Sequence, residues 1–376
     1  MRPSLLLLVS TLACTSVSCA GRDVIANGSR LFSAPSAADV DLAPRRRLEP
    51  LETDRATPLD PDPFAPERSR GRSPIAGDDG RRSLDDALLL GLRSAVIQQG
   101  AKSIGSTSLV FRVPLDGGLV AAFKPDTKKH RGRWRAEVAA YRLADALGLQ
   151  GVPPSTPRAV KISALLASIR SSSARHRLID QEIPNGPDAL PGAMIAWLPS
   201  LQRLPLEREP LWTAWGEWLS ATPPRRPIEE RLGRSAAKGV AAARSLAPQI
   251  AEMVLFDHLT GNRDRWSGFN VMVDQTGTRL VYLDNNLAFD ATIDPKPERA
   301  RQEVLARVQK VPRRLVSAMR ALTRDDLVAI FGDDDVGLPL LSDAQIDACL
   351  TRRDEILAHV DRLVAHDGEA QVLAFE

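Results

Sequence analysis

The 376-residue sequence predicts an α+β fold of two lobes: a β-rich first lobe with one key helix, then a mostly helical second lobe carrying a hairpin. Three observations predict it. Two short apolar runs meet across Gly117-Gly118, the pattern of a β-hairpin. Apolar residues recur at helical spacing over Arg133 to Leu147 and again through most of the second half. Before both lies a stretch without any period, so the ordered part begins well inside the chain. The expected division is 1–20 signal segment, 21–82 disordered linker, 83–197 first lobe and 198–376 second lobe.

The first twenty residues set themselves apart. Arg2 precedes the apolar run Leu5 to Val9, and small residues follow through Ser16, Ser18 and Ala20. Such a segment is an export signal, too short to span a bilayer comfortably. Two cleavage readings stand. In one, Ser16-Val-Ser-Cys19 is a lipobox, imperfect at its first position, and Cys19 becomes a lipidated membrane anchor; in the other, cleavage follows Ala20 and the chain is secreted. Either leaves Cys349 without a partner for an intrachain disulfide. Residues 21–82 are rich in Pro, Arg, Asp and Ser, including Arg45-Arg-Arg47 and Pro58-Leu-Asp-Pro-Asp-Pro63. They bury too little apolar area to offset their ordering entropy, and read as a tether.

Order is expected from about Ser83, an N-cap ahead of Leu84 to Leu90. Ser108–Val113 and Leu119–Lys124 read as strands, and Arg133–Leu147 as a helix with Ala136, Ala140, Leu143, Ala144 and Leu147 on one face. Gly148 ends that helix and Pro153-Pro154 forbid its continuation. Val160–Ile162 and Ala193–Trp197 are further strand segments. A long amphipathic helix is expected over Ser235–Leu259, ending at Gly261, then short strands at Asn270–Val273 and Arg279–Leu283 across a Gln275-Thr-Gly277 turn. Helices follow at about Glu298–Gln309, Arg313–Leu322 and Asp343–Val364.

Composition narrows the chemistry. With 50 Lys+Arg against 47 Asp+Glu and the arginines dispersed, no basic stripe argues for a nucleic-acid partner. The five histidines lack metal-ligand spacing, and no H-E-x-x-H, C-x-x-C, G-x-S-x-G or Walker-type loop occurs. Asp333-Asp-Asp335 lacks the EF-hand pattern and reads as a solvated loop. Trp212, Trp215 and Trp218 recur every third residue, either as a packing stripe or as an exposed binding face.

Four polar features sit where apolar neighbours make charge costly. Lys124 closes the apolar strand Val120-Ala-Ala-Phe123, Glu137 lies on the following helix, Asp264 and Asn270 lie in a loop after the long helix, and Asp284 ends a strand. Each has an ordinary reading: snorkelling lysine, surface glutamate, turn residues, hairpin exit. Their order along the chain is what sharpens them.

The motifs Ala121-Ala-Phe-Lys-Pro125, Glu137-Val-Ala-Ala-Tyr-Arg-Leu143 with Gly148 to Pro154, Gly261-Asn-Arg-Asp-Arg265 and Leu283-Asp-Asn-Asn-Leu-Ala-Phe289 together resemble the atypical kinase superfamily. That group includes the phosphatidylinositol 3- and 4-kinases, the HipA-type kinases and the four-jointed-type secretory kinases. The resemblance spans roughly Gly100 to Leu341 and implies a two-lobed protein-kinase-like fold and an ATP-dependent phosphotransferase using Mg2+ or Mn2+. It implies Lys124 on the α/β-phosphates, Glu137 orienting Lys124, Asp264 beside the acceptor hydroxyl, and Asn270 and Asp284 as metal ligands. Gly105 and Ser106 would lie over the phosphates, and the Met194–Trp197 backbone would meet adenine unless that segment is a core strand. The acceptor, protein or small molecule, stays open. Three departures accompany the resemblance. Asn270 follows Asp264 by six positions rather than five, Trp266 replaces a usual His, and Asn286 stands where Gly is common. The first two keep open a second reading, a catalytically inactive kinase-fold lipoprotein that binds or scaffolds.

Overall fold

The computed structural model describes residues 79–104, 108–179, 183, 188–292, 295–332 and 339–376. The expected export signal, Cys19, nearly all of the expected linker, Gly105, Ser106 and Asp333–Asp335 lie outside the described residues. Elements run in the order α1 (Asp79–Ser94), β1 (Lys102–Ser103), β2 (Phe111–Pro114), β3 (Val120–Pro125), α2 (Trp134–Ala146), β4 (Ser155–Lys161), α3 (Ile162–Ser168), α4 (Ser172–Arg177) and β5 (Ala189–Ala196). Then follow β6 (Gln202–Arg203), α5 (Leu211–Trp218), α6 (Ile228–Arg231), α7 (Arg234–Ala243), α8 (Ala247–Thr260), β7 (Val271–Val273), β8 (Leu280–Tyr282), α9 (Pro295–Ala306), α10 (Arg313–Ala321), α11 (Arg324–Ile330), α12 (Asp343–Asp367) and α13 (Glu369–Val372).

The first lobe is an antiparallel sheet of order β1-β2-β3-β5-β4. Its β2–β3 hairpin turns through Gly117 and Gly118, both at positive φ (70° and 77°), a backbone region that glycine enters without steric cost. Alternation along β3 sends Ala121 and Phe123 into a core with Leu92, Phe111, Leu165 and Met194, and turns Ala122 and Lys124 to the opposite face. β5 passes so close to β3 that a Cβ on Gly192 would lie 2.5 Å from the Lys124 carbonyl oxygen.

The second lobe packs α5 and α7–α13 around a larger core holding Trp215, Ile250, Val254, Phe256, Leu305 and Ile356, and carries the small antiparallel sheet β6-β7-β8. α2 joins the lobes, because Val138, Ala139 and Leu143 belong to that second core. So does the turn after it. Gly151 lies flat on the Tyr282 ring, where a Cβ would come within 1.8 Å of a ring carbon, and its carbonyl accepts the Tyr282 N–H at 2.9 Å.

The structure departs from the sequence reading in several places. α1 begins at Asp79, ahead of Ser83. The long helix expected over Ser235–Leu259 is two, α7 and α8, joined by a 3-10 turn at Arg244–Leu246. Pro248, at the start of α8, has no N–H to give to the preceding turn. β4 starts at Ser155, and Ile162 opens α3 rather than closing a strand. α11 was not expected, although Thr323 and Asp326 form a reciprocal capping box at its start. No helix among the described residues is long and apolar enough to cross a membrane.

Candidate active site

β3, α2 and β8 bring three charges together. The Lys124 Nζ donates to Glu137 Oε1 at 2.5 Å and to Asp284 Oδ1 at 2.9 Å, so one cation bridges a first-lobe helix and a second-lobe strand end. Burial works against the Lys124 charge, but the Glu137 and Asp284 carboxylates outweigh it and hold the ammonium above the usual lysine range. Glu137 is buried in the first turn of α2, and its Oε2 accepts the Asn285 N–H at 3.1 Å, a second tie across the lobes. The loop feeding α2 is set by Asp126, which accepts the Gly132 N–H at 2.6 Å. For Asp284 burial pushes the carboxyl up, yet Lys124 prevails and holds it below the usual carboxylate range. Its backbone adopts φ 56°, unusual for a residue other than glycine. Asn286, which stands where the resemblance makes Gly common, has no positive φ; the left-handed backbone falls on Asp284 itself.

The loop after α8 completes the group. Gly261 ends the helix in the left-handed region at φ 67°. Asp264 gives its N–H to Asn262 Oδ1 at 3.0 Å, and Asn270 Nδ2 reaches both the carbonyl oxygen (2.9 Å) and Oδ2 (3.2 Å) of Asp264. The extra residue between Asp264 and Asn270 is absorbed by a 3-10 turn at Arg265–Ser267 and by Gly268 at φ 109°. Trp266, where the resemblance leads one to expect His, packs into the core: it stacks on Trp215 (5.7 Å, 22°) and meets Trp212 edge-on. The tryptophan series is a packing stripe, with Trp215 and Trp218 buried. Burial first, and then the Asp284 charge, raise the Asp264 carboxyl against the opposing hydrogen bonds from Asn270 and Ser267.

One residue that sequence reasoning passed over holds these pieces in register. Arg265 is fully buried, and its Nε meets both carboxylate oxygens of Asp257, at 3.1 and 2.9 Å. Nη1 donates to the carbonyl oxygens of Asn270 (2.9 Å) and Leu283, and Nη2 to Asn285 Oδ1 (2.7 Å). A single planar guanidinium therefore ties α8 to the two segments that present Asn270 and Asp284. An Asp-Arg pair after an apolar helix was the available signal, but the partners lie eight, five and twenty residues from Arg265.

Other expected residues stand elsewhere. Met194 is wholly buried in β5 between β3 and β4, with its side chain in the first-lobe core. Trp197 gives its N–H to the Val120 carbonyl at 3.1 Å, which removes that donor from any ligand, and its ring lies under the Arg112 guanidinium. Phe269 is exposed with Arg203 over its ring at 4.4 Å. Folding also gathers His258, Glu298 and Glu355, whose ligand atoms lie within 4.8 Å of one another, a grouping that sequence spacing does not reveal. Gln302 donates to both glutamates and Arg301 to Glu298, so protein donors already satisfy these carboxylates.

The donor set suits a hard divalent cation. Asp284 and Asp264 offer carboxylate oxygens, and Asn270, whose Nδ2 is turned to Asp264, keeps its Oδ1 for an ion. The raised Asp264 and its repulsion by Asp284 are what a nearby cation would relieve. The cavity beside Lys124, lined among others by Thr127, His130, Arg133 and Asn286, measures about 20 Å3. That is room for a water.

No family model matches the chain, and no curated protein matches its sequence. Among solved structures it is similar to the Golgi casein kinase, with a TM-score of 0.57 and 17% identity over 78% of this chain and 79% of that one. The same kinase with Mn/ADP bound gives the same figures. The structure of hydra Fam20 with sugar is similar over 79% of this chain and 93% of that one, at a TM-score of 0.55 and 17% identity. The chain has the two-lobed kinase-like fold of these structures.

Proposed function

We propose that this chain is an ATP-dependent phosphotransferase that moves the γ-phosphate to a hydroxyl of a protein or small molecule, working outside the cytoplasm. The bridging of Lys124 to Glu137 and Asp284, with Asp264 and Asn270 alongside, carries the reading. Phosphoryl transfer depends on neutralising charge and aligning the acceptor rather than on a covalent intermediate. Lys124, oriented by Glu137, would leave Asp284 and take up phosphate oxygens. Asp264 would align the acceptor hydroxyl and receive its proton, a role that its raised affinity for protons suits. Asn270 and Asp284 would hold Mg2+ or Mn2+, which when bound shields the phosphate charge. Likeness to a kinase with Mn/ADP bound supports this choice of nucleotide and metal. The export signal, with Cys19 as lipid anchor or with simple secretion, supports the placement outside the cytoplasm.

The direct Lys124–Asp284 contact favours a second reading, a binding module that has lost turnover. Two measurements separate them. Mg-ATP or Mn-ATP should raise the melting temperature of the wild type and not of Asp284→Ala, since a ligand stabilises only the state that binds it. Transfer of labelled γ-phosphate, lost in Asp264→Ala, then marks the enzyme. A thermal shift without transfer leaves a nucleotide-binding module, and no shift in the wild type defeats the enzyme and leaves a scaffold.

A further inference from the structure

A second concavity lies at the β1 edge of the first sheet. It is a hollow of about 680 Å3 between the β1–β2 pair and the α3–α4 connection. It shares no lining residue with the cavity beside Lys124. Lys102 and Arg112 line it from the strands, Arg170 and Arg177 from the connection and α4, together with the hydroxyls of Ser171 and Ser173. Among the described residues lining it there is no carboxylate, although acidic and basic residues are nearly balanced over the chain, 47 against 50.

The backbone builds this charge deliberately. The β1–β2 register sets Lys102 directly opposite Arg112, and like charges across a ladder are destabilising unless something lies between them. A parallel bridge from Ala101 to Ile169 extends the edge and brings Arg170 and Ser171 beside the strands. The connection is pinned there by the Ser168 carbonyl, which accepts the N–H groups of Gly100 and Ala101, and by Arg175 Nε on the Ile169 carbonyl. The Arg112 guanidinium lies 5.3 Å from the Trp197 ring centroid, a contact that leaves its charge uncancelled. A concave wall of one sign focuses its field on a counter-ion. Arginine forks match phosphate and sulfate oxygens in pairs. The volume falls within the ~300–1,000 Å3 of small-molecule sites and far exceeds one tetrahedral anion.

We propose that this hollow binds a polyanion carrying two or more phosphate or sulfate groups, either a free solute or the headgroup of a clustered anionic lipid. The site is independent of the kinase reading.

The test uses the whole chain and two soluble probes, fructose 1,6-bisphosphate and sucrose octasulfate, without divalent metal. Sodium sulfate at matched ionic strength is the control. Near ~100-fold excess over Kd the wild type should gain roughly 5 °C in melting temperature, and high salt should weaken the gain. Lys102→Glu/Arg170→Glu should melt like the wild type without probe and lose the gain, while Asp284→Ala keeps it. Should the reversed pair fold poorly, Lys102→Gln/Arg170→Gln serves, with binding weakened at least tenfold. Vesicles of phosphatidylcholine with phosphatidylglycerol decide the source: pelleting that octasulfate competes away identifies a lipid headgroup, and soluble binding alone identifies a free ligand. An equal gain in the wild type and both pairs, or no binding of either probe or of vesicles, overturns the site.

Discussion

At Asp264, burial and the Asp284 charge both disfavour ionisation, so its folded pKa lies above its unfolded value. A carboxyl shifted that way costs stability once the pH has risen past its folded value, and the cost fades as the pH falls below it. Asp264→Asn removes the cost while keeping an oxygen for Asn270. The metal-free variant should melt slightly higher than the wild type at neutral pH, a gain under about 1 kcal/mol because solvent screens part of the repulsion. Its transfer rate should fall about 100-fold or more, the usual worth of a positioned base. Thermal melts with phosphate-transfer assays check both halves, and a lower melting temperature would contradict the electrostatic account. At this scale the lysine, glutamate and aspartates could be picked out of the sequence, because a charge among apolar neighbours is conspicuous. Arg265 could not. Its importance lies in acceptors on three separate segments. Cys349, buried with its thiol pushed up to about 12, is an inert core residue.

Between elements, the guanidinium of Arg265 and the bare face of Gly151 do the joining. Arg265→Lys keeps a charge near Asp257 but cannot span the carbonyls of Asn270 and Leu283 and the Asn285 side chain. Unmet buried acceptors should cost ~2–4 kcal/mol in urea unfolding. Mg-ATP affinity should fall with them, since Asn270 and Asp284 lose their common anchor. Gly151→Ala sets a methyl into the Tyr282 ring, which is buried and cannot swing away. Overpacking of this kind costs ~1–3 kcal/mol, and adding Tyr282→Leu should recover part of it, a rescue that a backbone effect at Gly151 would not show. Sequence periodicity located α2, α8, α10 and α12 because each repeats apolar residues over several turns. It joined α7 to α8 because the pattern runs on across Pro248, and it missed α11, only seven residues long and defined by its cap.

Across the whole molecule, one cation and two acids add a charged tie to the packing that joins the lobes. Asp284 has its folded pKa depressed, so its contribution is present above its unfolded value near 3.9 and lost as the pH falls through the folded one. Lys124, raised when folded, contributes below its unfolded value near 10.4 and loses this only as the pH rises through the folded one. The melting temperature of the wild type should therefore exceed that of Asp284→Asn at neutral pH and converge on it in acid, below about pH 4. A constant gap down to acid pH would show that the ion pair does not stabilise the docked lobes. The sequence alone determined the α+β class, the order of the elements and which charges stand out, since hydrophobic period and caps are local properties. Tertiary structure decided which charges meet, that Met194 is core, that Asp284 bears the left-handed backbone and that four cations ring one hollow. Those facts depend on distances between segments remote in the chain, and local pattern does not encode such distances.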